Sequence, residues 1–150
     1  MILLQIGAIL EASTSALNRH GPCLFDRMGT QAEDLKKRTF QFAVAITKLV
    51  RELPITLKGR RIGGQLFDAG TSVAANYRAA CKARSHAEFI AKIGIVLEEA
   101  DESAFWLEFL VATGIVPEAA VVSHRTEAAE LTAIFTASHK TATAHKRLRS

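Results

Sequence analysis

The acidic residues Glu98, Glu99, Asp101 and Glu102 are the densest group of side chains in the sequence that could bind a metal. A helical bundle that holds a pair of iron or manganese ions uses Glu from two helices and a Glu-x-x-His motif from each of two others. The sequence contains no Glu-x-x-His, and its histidines lack the paired spacing of zinc ligands. We therefore expect this cluster to be a solvent-exposed or intersubunit face, with no bound metal and no cofactor.

The sequence also contains few candidates for a catalytic nucleophile. Cys23 and Cys81 form neither a disulfide framework nor a CxxC pair, which is typical of a reducing compartment. The cations Lys82 and Arg84 would lower the pKa of the Cys81 thiol, although a lone cysteine on a helix is usually inert packing. No histidine stands with a Ser or Cys in a recognisable nucleophile motif. The sequence therefore predicts no catalytic residues and a protein that is not an enzyme.

Cationic side chains are more informative. The chain carries 19 Lys and Arg against 15 Asp and Glu, and the net charge of +4 does not by itself indicate a nucleic-acid partner. Their positions matter more, because an antiparallel four-helix arrangement brings alternate helix starts and ends to one end of the molecule. The candidates for phosphate contact at that basic end are Lys36, Lys37, Arg38, Arg78, Lys82, Arg84 and Lys140.

Two interpretations of the basic end stay open. The helix macrodipole favours cations at C-termini, which explains those at the ends of helices 2 and 4 without any ligand. It does not explain Lys36, Lys37 and Arg38, because the predicted helix 1 begins at Asp34 and cations are disfavoured near an N-terminus. No base-reading motif is visible, so we expect any nucleic-acid binding to depend on charge and shape.

Helical periodicity from residue 34 onward positions these side chains. Apolar residues recur at spacings typical of one helix face, and Phe40, Phe42 and Ile46 are predicted to face inward from helix 1. Pro54 ends helix 1 and Gly114 ends helix 3. The pattern predicts an all-α, up-down-up-down antiparallel four-helix bundle, with helices at about 34–53, 62–82, 86–113 and 117–144.

Aromatic residues on helix 3 extend beyond its predicted inward stripe. A monomer has little reason to expose as much aromatic surface as Phe105, Trp106 and Phe109 provide. An oligomer interface explains them, and a wide contact with the core is the alternative.

The chain divides into three segments. Residues 1–32 are an N-terminal extension expected to be peripheral or poorly ordered, residues 33–146 form the bundle, and residues 147–150 are a basic tail. Either Met28 is the natural start, or a short helix near residues 3–17 lies on the bundle. The apolar stretch at the start is too short to span a bilayer and lacks the basic beginning of a secretory signal. We expect a cytoplasmic protein with no membrane partner.

Long contiguous motifs lie in helices 2 and 3. They are Gly-Thr-Ser-Val-Ala-Ala-Asn-Tyr-Arg-Ala-Ala-Cys at 70–81, Ser-His-Ala-Glu-Phe-Ile-Ala-Lys at 85–92 and Ile-Val-Leu-Glu-Glu-Ala-Asp-Glu-Ser-Ala-Phe-Trp-Leu-Glu at 95–108. With these motifs the chain resembles the bacterial four-helix bundle proteins, also called 23S rRNA-intervening-sequence proteins, over about residues 34–144.

The resemblance implies a bundle that assembles as a ring, typically a homopentamer, with a nucleic-acid-binding role and no established enzymatic activity. Accessory proteins of diversity-generating retroelements are similar and work beside a reverse transcriptase, which is therefore a candidate protein partner. Where many relatives carry Arg in helix 2, this chain has Phe67 and Asp68, and the acidic residue weakens any phosphate contact carried over to that position.

We therefore expect a non-catalytic, homo-oligomeric binding module that contacts nucleic acid through its basic end. The expected ligand is RNA or DNA, with structured RNA or an RNA–protein complex favoured. The alternative is a protein–protein interaction scaffold with no direct nucleic-acid role.

Overall fold

Four α-helices occupy the part of the chain that the computed structural model describes, which is the backbone of residues 22–147 and the side chains of residues 31–144. No strand occurs in residues 22–147, so the predicted all-α fold of four helices is confirmed. Within the same residues, no helix combines the length and the apolar composition that crossing a membrane requires. The predictions for residues 1–21 and 148–150 lie outside the described residues. The helices are α1 (Pro22–Glu52), α2 (Leu57–Ala80), α3 (His86–Ala112) and α4 (Glu118–Arg147).

The first two helices begin earlier than the periodicity indicated. Helix α1 starts at Pro22, where proline is tolerated because the first backbone N–H groups of a helix have no partner within it. Residues 22–32, expected to belong to a peripheral extension, are therefore the first part of α1. Helix α2 starts at Leu57 because Thr56 caps it, its Oγ1 accepting a hydrogen bond of 3.0 Å from the Gly59 N–H.

The link between α3 and α4 is set by one glycine. Gly114 has a φ of +68°, in the left-handed region that favours glycine. Its N–H donates to the Val111 carbonyl at 2.9 Å, and the Ile115 N–H donates to the Leu110 carbonyl at 3.0 Å. This pair of bonds is the Schellman arrangement that satisfies the last carbonyls of a helix. The helix end predicted at Gly114 is confirmed.

Each helix packs chiefly against its neighbours along the chain. Helix α2 lies against α1 and α3, α4 lies against α3, and a much narrower seam joins α1 to α4. All four helices contribute fully buried side chains, and burial of each large one contributes about 1.5–3 kcal/mol relative to exposure. Examples, one or two per helix, are Ile46, Leu66, Ile93, Leu107 and Phe135.

The buried face of α1 differs from the prediction at one residue. Phe42 and Ile46 are buried as predicted, whereas Phe40 is 57% exposed. A helix turns about 100° per residue, so Phe40 lies about 120° around the axis from Ile46. The prediction that Phe40 faces inward is wrong, because this angle takes its ring outside the stripe that contacts the other helices.

Candidate functional site

Cations from α1 and α2 meet on one face of the bundle. Because the two helices are antiparallel, Lys36 and Lys37 of α1 come beside Arg78 and Lys82 at the C-terminal end of α2. These cations line an open pocket of about 310 Å³ together with Phe40 and Glu33. We call this surface the basic face and define it by Lys36, Lys37, Phe40, Arg78 and Lys82.

The cations of the basic face differ in whether a neighbouring acid pairs with them. The Nζ atom of Lys36 lies 2.5 Å from Oε1 of Glu33, and this hydrogen bond raises the pKa of Lys36. Lys37, Arg78 and Lys82 are exposed, and none of the ion pairs within residues 31–144 involves them. The face therefore presents cations to solvent across two helices.

The expectation that the helix macrodipole disfavours the α1 cations is wrong. Helix α1 begins at Pro22, so Lys36 and Lys37 lie well inside it, beyond the first turn where the dipole acts on a charge. Arg78 and Lys82 do lie at a C-terminus, where the dipole favours a cation. The notable property of the α1 lysines is their position beside Arg78 and Lys82.

Arg38 takes part in a different interaction. Its Nε donates to Oε1 of Glu127 at 2.7 Å and its Nη2 donates to Oε2 at 2.9 Å, and Nη2 also bonds to Glu130. These contacts, led by the hydrogen bond to Glu127, raise the pKa of the guanidinium group. The structure therefore does not bring Arg38 to the basic face, because two carboxylates of α4 neutralise it across the α1–α4 seam.

Arg84 and Lys140 are exposed but do not line the pocket of the basic face. The Arg84 backbone N–H donates to Oε2 of Glu88 at 2.9 Å, which lowers the pKa of Glu88, and the Arg84 Nε lies 3.3 Å from the same oxygen. Lys140 lies about 180° around α4 from the buried Leu131, on the outer surface of that helix. Sharing an end of the bundle is not sufficient to bring these residues to the other cations.

Phe40 is the component of the basic face that the sequence analysis missed. Its neighbours one turn earlier on α1 are Lys36 and Lys37, so its exposed ring lies among cations rather than among core side chains. The signal was present in the sequence, because the helical angle separates Phe40 from the stripe of Phe42 and Ile46. Counting intervals of three and four residues between apolar positions does not reveal this angle.

A second exposed surface lies on α3. Phe105 is 53% exposed and Phe109 is 37% exposed, while Trp106 packs partly against the core. The ring centroids of Phe105 and Trp106 are 4.9 Å apart, and those of Trp106 and Phe109 are 5.8 Å apart. The Trp106 Nε1–H donates to Oε1 of Glu102 at 2.9 Å. We call Phe105, Trp106 and Phe109 the aromatic patch, since their rings form one continuous cluster.

The acidic residues of α3 remain clustered, and Asp68 of α2 lies close to them. Burial raises the pKa of Glu99, and the charges of Glu102, Glu98 and Asp68 raise it further. Among the side chains of residues 31–144, no group of three or more His, Cys, Asp or Glu is arranged to hold a metal ion. The cluster makes this side of the molecule negative.

The Cys81 thiol is not activated. Desolvation raises its pKa and outweighs the hydrogen bond from Tyr77 and the charge of Lys36, both of which lower it. The neighbouring cations therefore produce no net lowering of the pKa of this thiol. A raised pKa keeps the group in the thiol form at neutral pH, and the thiol is a poor nucleophile.

The sequence of the four-helix region matches a known family of proteins. The model of the family described as 23S rRNA-intervening sequence protein matches residues 32–137, which span most of the four-helix region. The chain belongs to the 23S rRNA-intervening sequence protein family. No curated protein matches it. The resemblance noted in the sequence is thus confirmed.

A protein of known structure, with a similar family name, has the same fold as this chain. The crystal structure, at 1.70 Å resolution, of a protein of unknown function from the S23 ribosomal protein family of Bacteroides thetaiotaomicron is similar to this chain, with a TM-score of 0.67 and 32% sequence identity. The similarity covers 73% of this chain and 97% of the other. The two proteins therefore have the same fold.

Proposed function

We propose that this chain is a non-catalytic, cytoplasmic binding module that contacts nucleic acid through the basic face. The observation that carries the proposal is the convergence of Lys37, Arg78 and Lys82, from two helices, on one open pocket. Exposed cations without acidic partners release counterions when they meet a phosphate backbone, and this release supplies most of the sequence-independent affinity. The family takes its name from an intervening sequence of 23S rRNA, so RNA is the nucleic acid we favour over DNA.

Self-association is the second part of the proposal. The aromatic patch places Phe105 and Phe109 on the surface, and contiguous exposed aromatic surface is typical of protein interfaces. We propose that the patch joins subunits into a ring, with a homopentamer as the expected form. A ring would repeat the basic face around its axis and so increase the number of phosphates contacted at once.

The alternative function is a protein–protein interaction scaffold with no direct nucleic-acid role. The observation that favours it is the group of acidic residues beside the aromatic patch, including Glu98, Glu102 and Glu108. An apolar patch with an acidic rim fits a protein partner that has a basic rim, such as a nucleic-acid enzyme of the reverse-transcriptase kind. In that case the basic face would be a solvated surface.

A salt titration with charge-reversed variants distinguishes these functions. We expect the wild-type protein to bind a structured RNA at low salt and to lose affinity as salt rises. The variant Lys37→Glu/Arg78→Glu/Lys82→Glu should bind at least about tenfold more weakly, and the slope of log affinity against log salt should fall by about 2–3. Fluorescence anisotropy with labelled RNA measures both quantities.

The matched control reverses exposed cations at the opposite end of α1 and α2. Arg51→Glu/Arg60→Glu/Arg61→Glu changes the net charge by the same amount at residues outside the basic face. It should retain most of the affinity. Equal losses in the two variants would mean that only net charge matters, and the absence of RNA binding by the wild type at low salt would support the scaffold.

A further inference from the structure

The exposed ring of Phe40 distinguishes the basic face from an ordinary group of solvated cations. A phenyl ring that is 57% exposed gains little from packing, and it lies in the pocket that Lys37, Arg78 and Lys82 line. Proteins that bind single-stranded nucleic acid combine these two elements, a cationic surface for the backbone and an aromatic ring on which a base stacks. In a duplex the base faces are already stacked on one another, so a ring can stack there only after a base step has been unstacked at a cost of a few kcal/mol.

The placement of the ring agrees with this use. Lys36 and Lys37 lie one turn from Phe40 on α1, and Arg78 and Lys82 line the same pocket from the C-terminal end of α2, so the ring shares the pocket with cations from two helices. The pocket volume of about 310 Å³ lies at the small end of the range for ligand sites and leaves room for one flat base beside the ring.

We infer that the basic face is selective for unpaired nucleotides, with Phe40 stacking on a base while Lys37, Arg78 and Lys82 contact the flanking phosphates. The inference rests on the proposed nucleic-acid function and adds the class of ligand. It makes Phe40 a specificity-determining residue, because every base has a face that can stack and no base edge needs to be read. In a structured RNA, the contact would fall on a loop, a bulge or an end.

Three RNA probes with equal numbers of phosphates test the inference: a single strand, a single strand of the same length with abasic sites, and a duplex. We expect the wild-type protein to bind the base-bearing strand about tenfold more tightly than the abasic strand or the duplex. Phe40→Ala should remove this preference and leave affinity for the abasic strand and the duplex unchanged. Phe40→Tyr should retain the preference, since its ring can still stack.

Phe67 provides the matched control. Its side chain is 40% exposed on α2, and it does not line the pocket of the basic face. Phe67→Ala should therefore bind all three probes as the wild type does. Circular dichroism and light scattering on each variant verify that the helices and the oligomeric state are unchanged.

The outcomes separate the inference from the proposed function. If the wild type binds none of the probes at low salt, both fail. If it binds all three equally and Phe40→Ala has no effect, the basic face binds nucleic acid but the stacking inference is wrong. If Phe40→Ala changes the oligomeric state, the ring belongs to a subunit interface and the inference is likewise wrong.

Discussion

The absence of a side chain at Gly70 lets α1 and α2 approach closely. A Cβ atom at position 70 would come within 2.8 Å of Cγ2 of the fully buried Ile46, and two further atoms of Ile46 would lie 3.0 Å away. Gly64 of the same helix has nothing within 4 Å of the corresponding position. A Cβ at Gly63 would also lie 3.0 Å from Cδ1 of Leu53. The close approach of α1 and α2 therefore depends on Gly70 and Gly63 and not on Gly64.

Alanine should have opposite effects on the free energy of unfolding at Gly70 and at Gly64. Gly70→Ala should lower the free energy of unfolding by about 1–3 kcal/mol, because Ile46 cannot move aside without disturbing the core. Gly64→Ala should raise it by about 0.5–1 kcal/mol through helix propensity alone. Urea unfolding followed by circular dichroism measures both changes, and a stabilising Gly70→Ala would refute the packing argument.

Burial of single residues could be predicted from the sequence, whereas contacts between distant residues could not. Periodicity correctly placed Phe42 and Ile46 in the core, because the apolar face that a helix buries follows from the spacing of its own residues. It could not give the partner of Arg38, since that ion pair joins residues 89 positions apart and depends on how two helices are rotated against each other. The sequence therefore predicted the fold well and the grouping of cations only in part.

Among the elements, α1 and α4 share the narrowest contact of any two helices that pack together in the described residues. The seam between α1 and α4 contains an open cleft of about 390 Å³, lined by Phe42, Ala45, His124 and other residues. Arg38 spans this seam and makes a bidentate bond to Glu127. Because α1 and α4 approach each other closely over only a short length, we expect this ion pair to contribute substantially to holding them together.

Removal of the Arg38 side chain should loosen this seam selectively. Arg38→Met should lower the free energy of unfolding by about 1 kcal/mol, and the coupling to Glu127→Gln in a double-mutant cycle should shrink as salt rises. Amide hydrogen exchange should increase in α1 more than in α3. Arg125→Met, which removes an ion pair to Glu118 within α4, should leave exchange in α1 unchanged.

At the scale of the whole molecule, the basic face and the aromatic patch lie on different sides. The basic face is formed by α1 and α2, the patch lies on α3, and within the described residues α1 and α3 do not pack against each other. A subunit could therefore associate through the patch while its basic face stays accessible. This separation is what an assembly that both oligomerises and binds an anionic polymer requires.

Substitutions on the two surfaces should accordingly have independent effects. Phe105→Ser/Phe109→Ser should reduce the mass of the assembly, because it removes the exposed rings that would be buried between subunits. Val122→Ser, which removes a side chain 51% exposed on α4, is the matched control and should keep the wild-type mass. Multi-angle light scattering at micromolar concentration measures the masses, and a monomeric wild type would contradict the assembly.

The order in which the helices pack also bears on how the protein is made. Each helix packs chiefly on the helix that precedes it, so during synthesis each newly emerged segment finds its partner already present. Contacts that are close in sequence favour fast folding. Among the helix contacts of residues 22–147, the α1–α4 seam forms last, because Arg38 leaves the ribosome 89 residues before Glu127. The bundle can thus be built in the order of translation, and the pairing of Arg38 with Glu127 completes it.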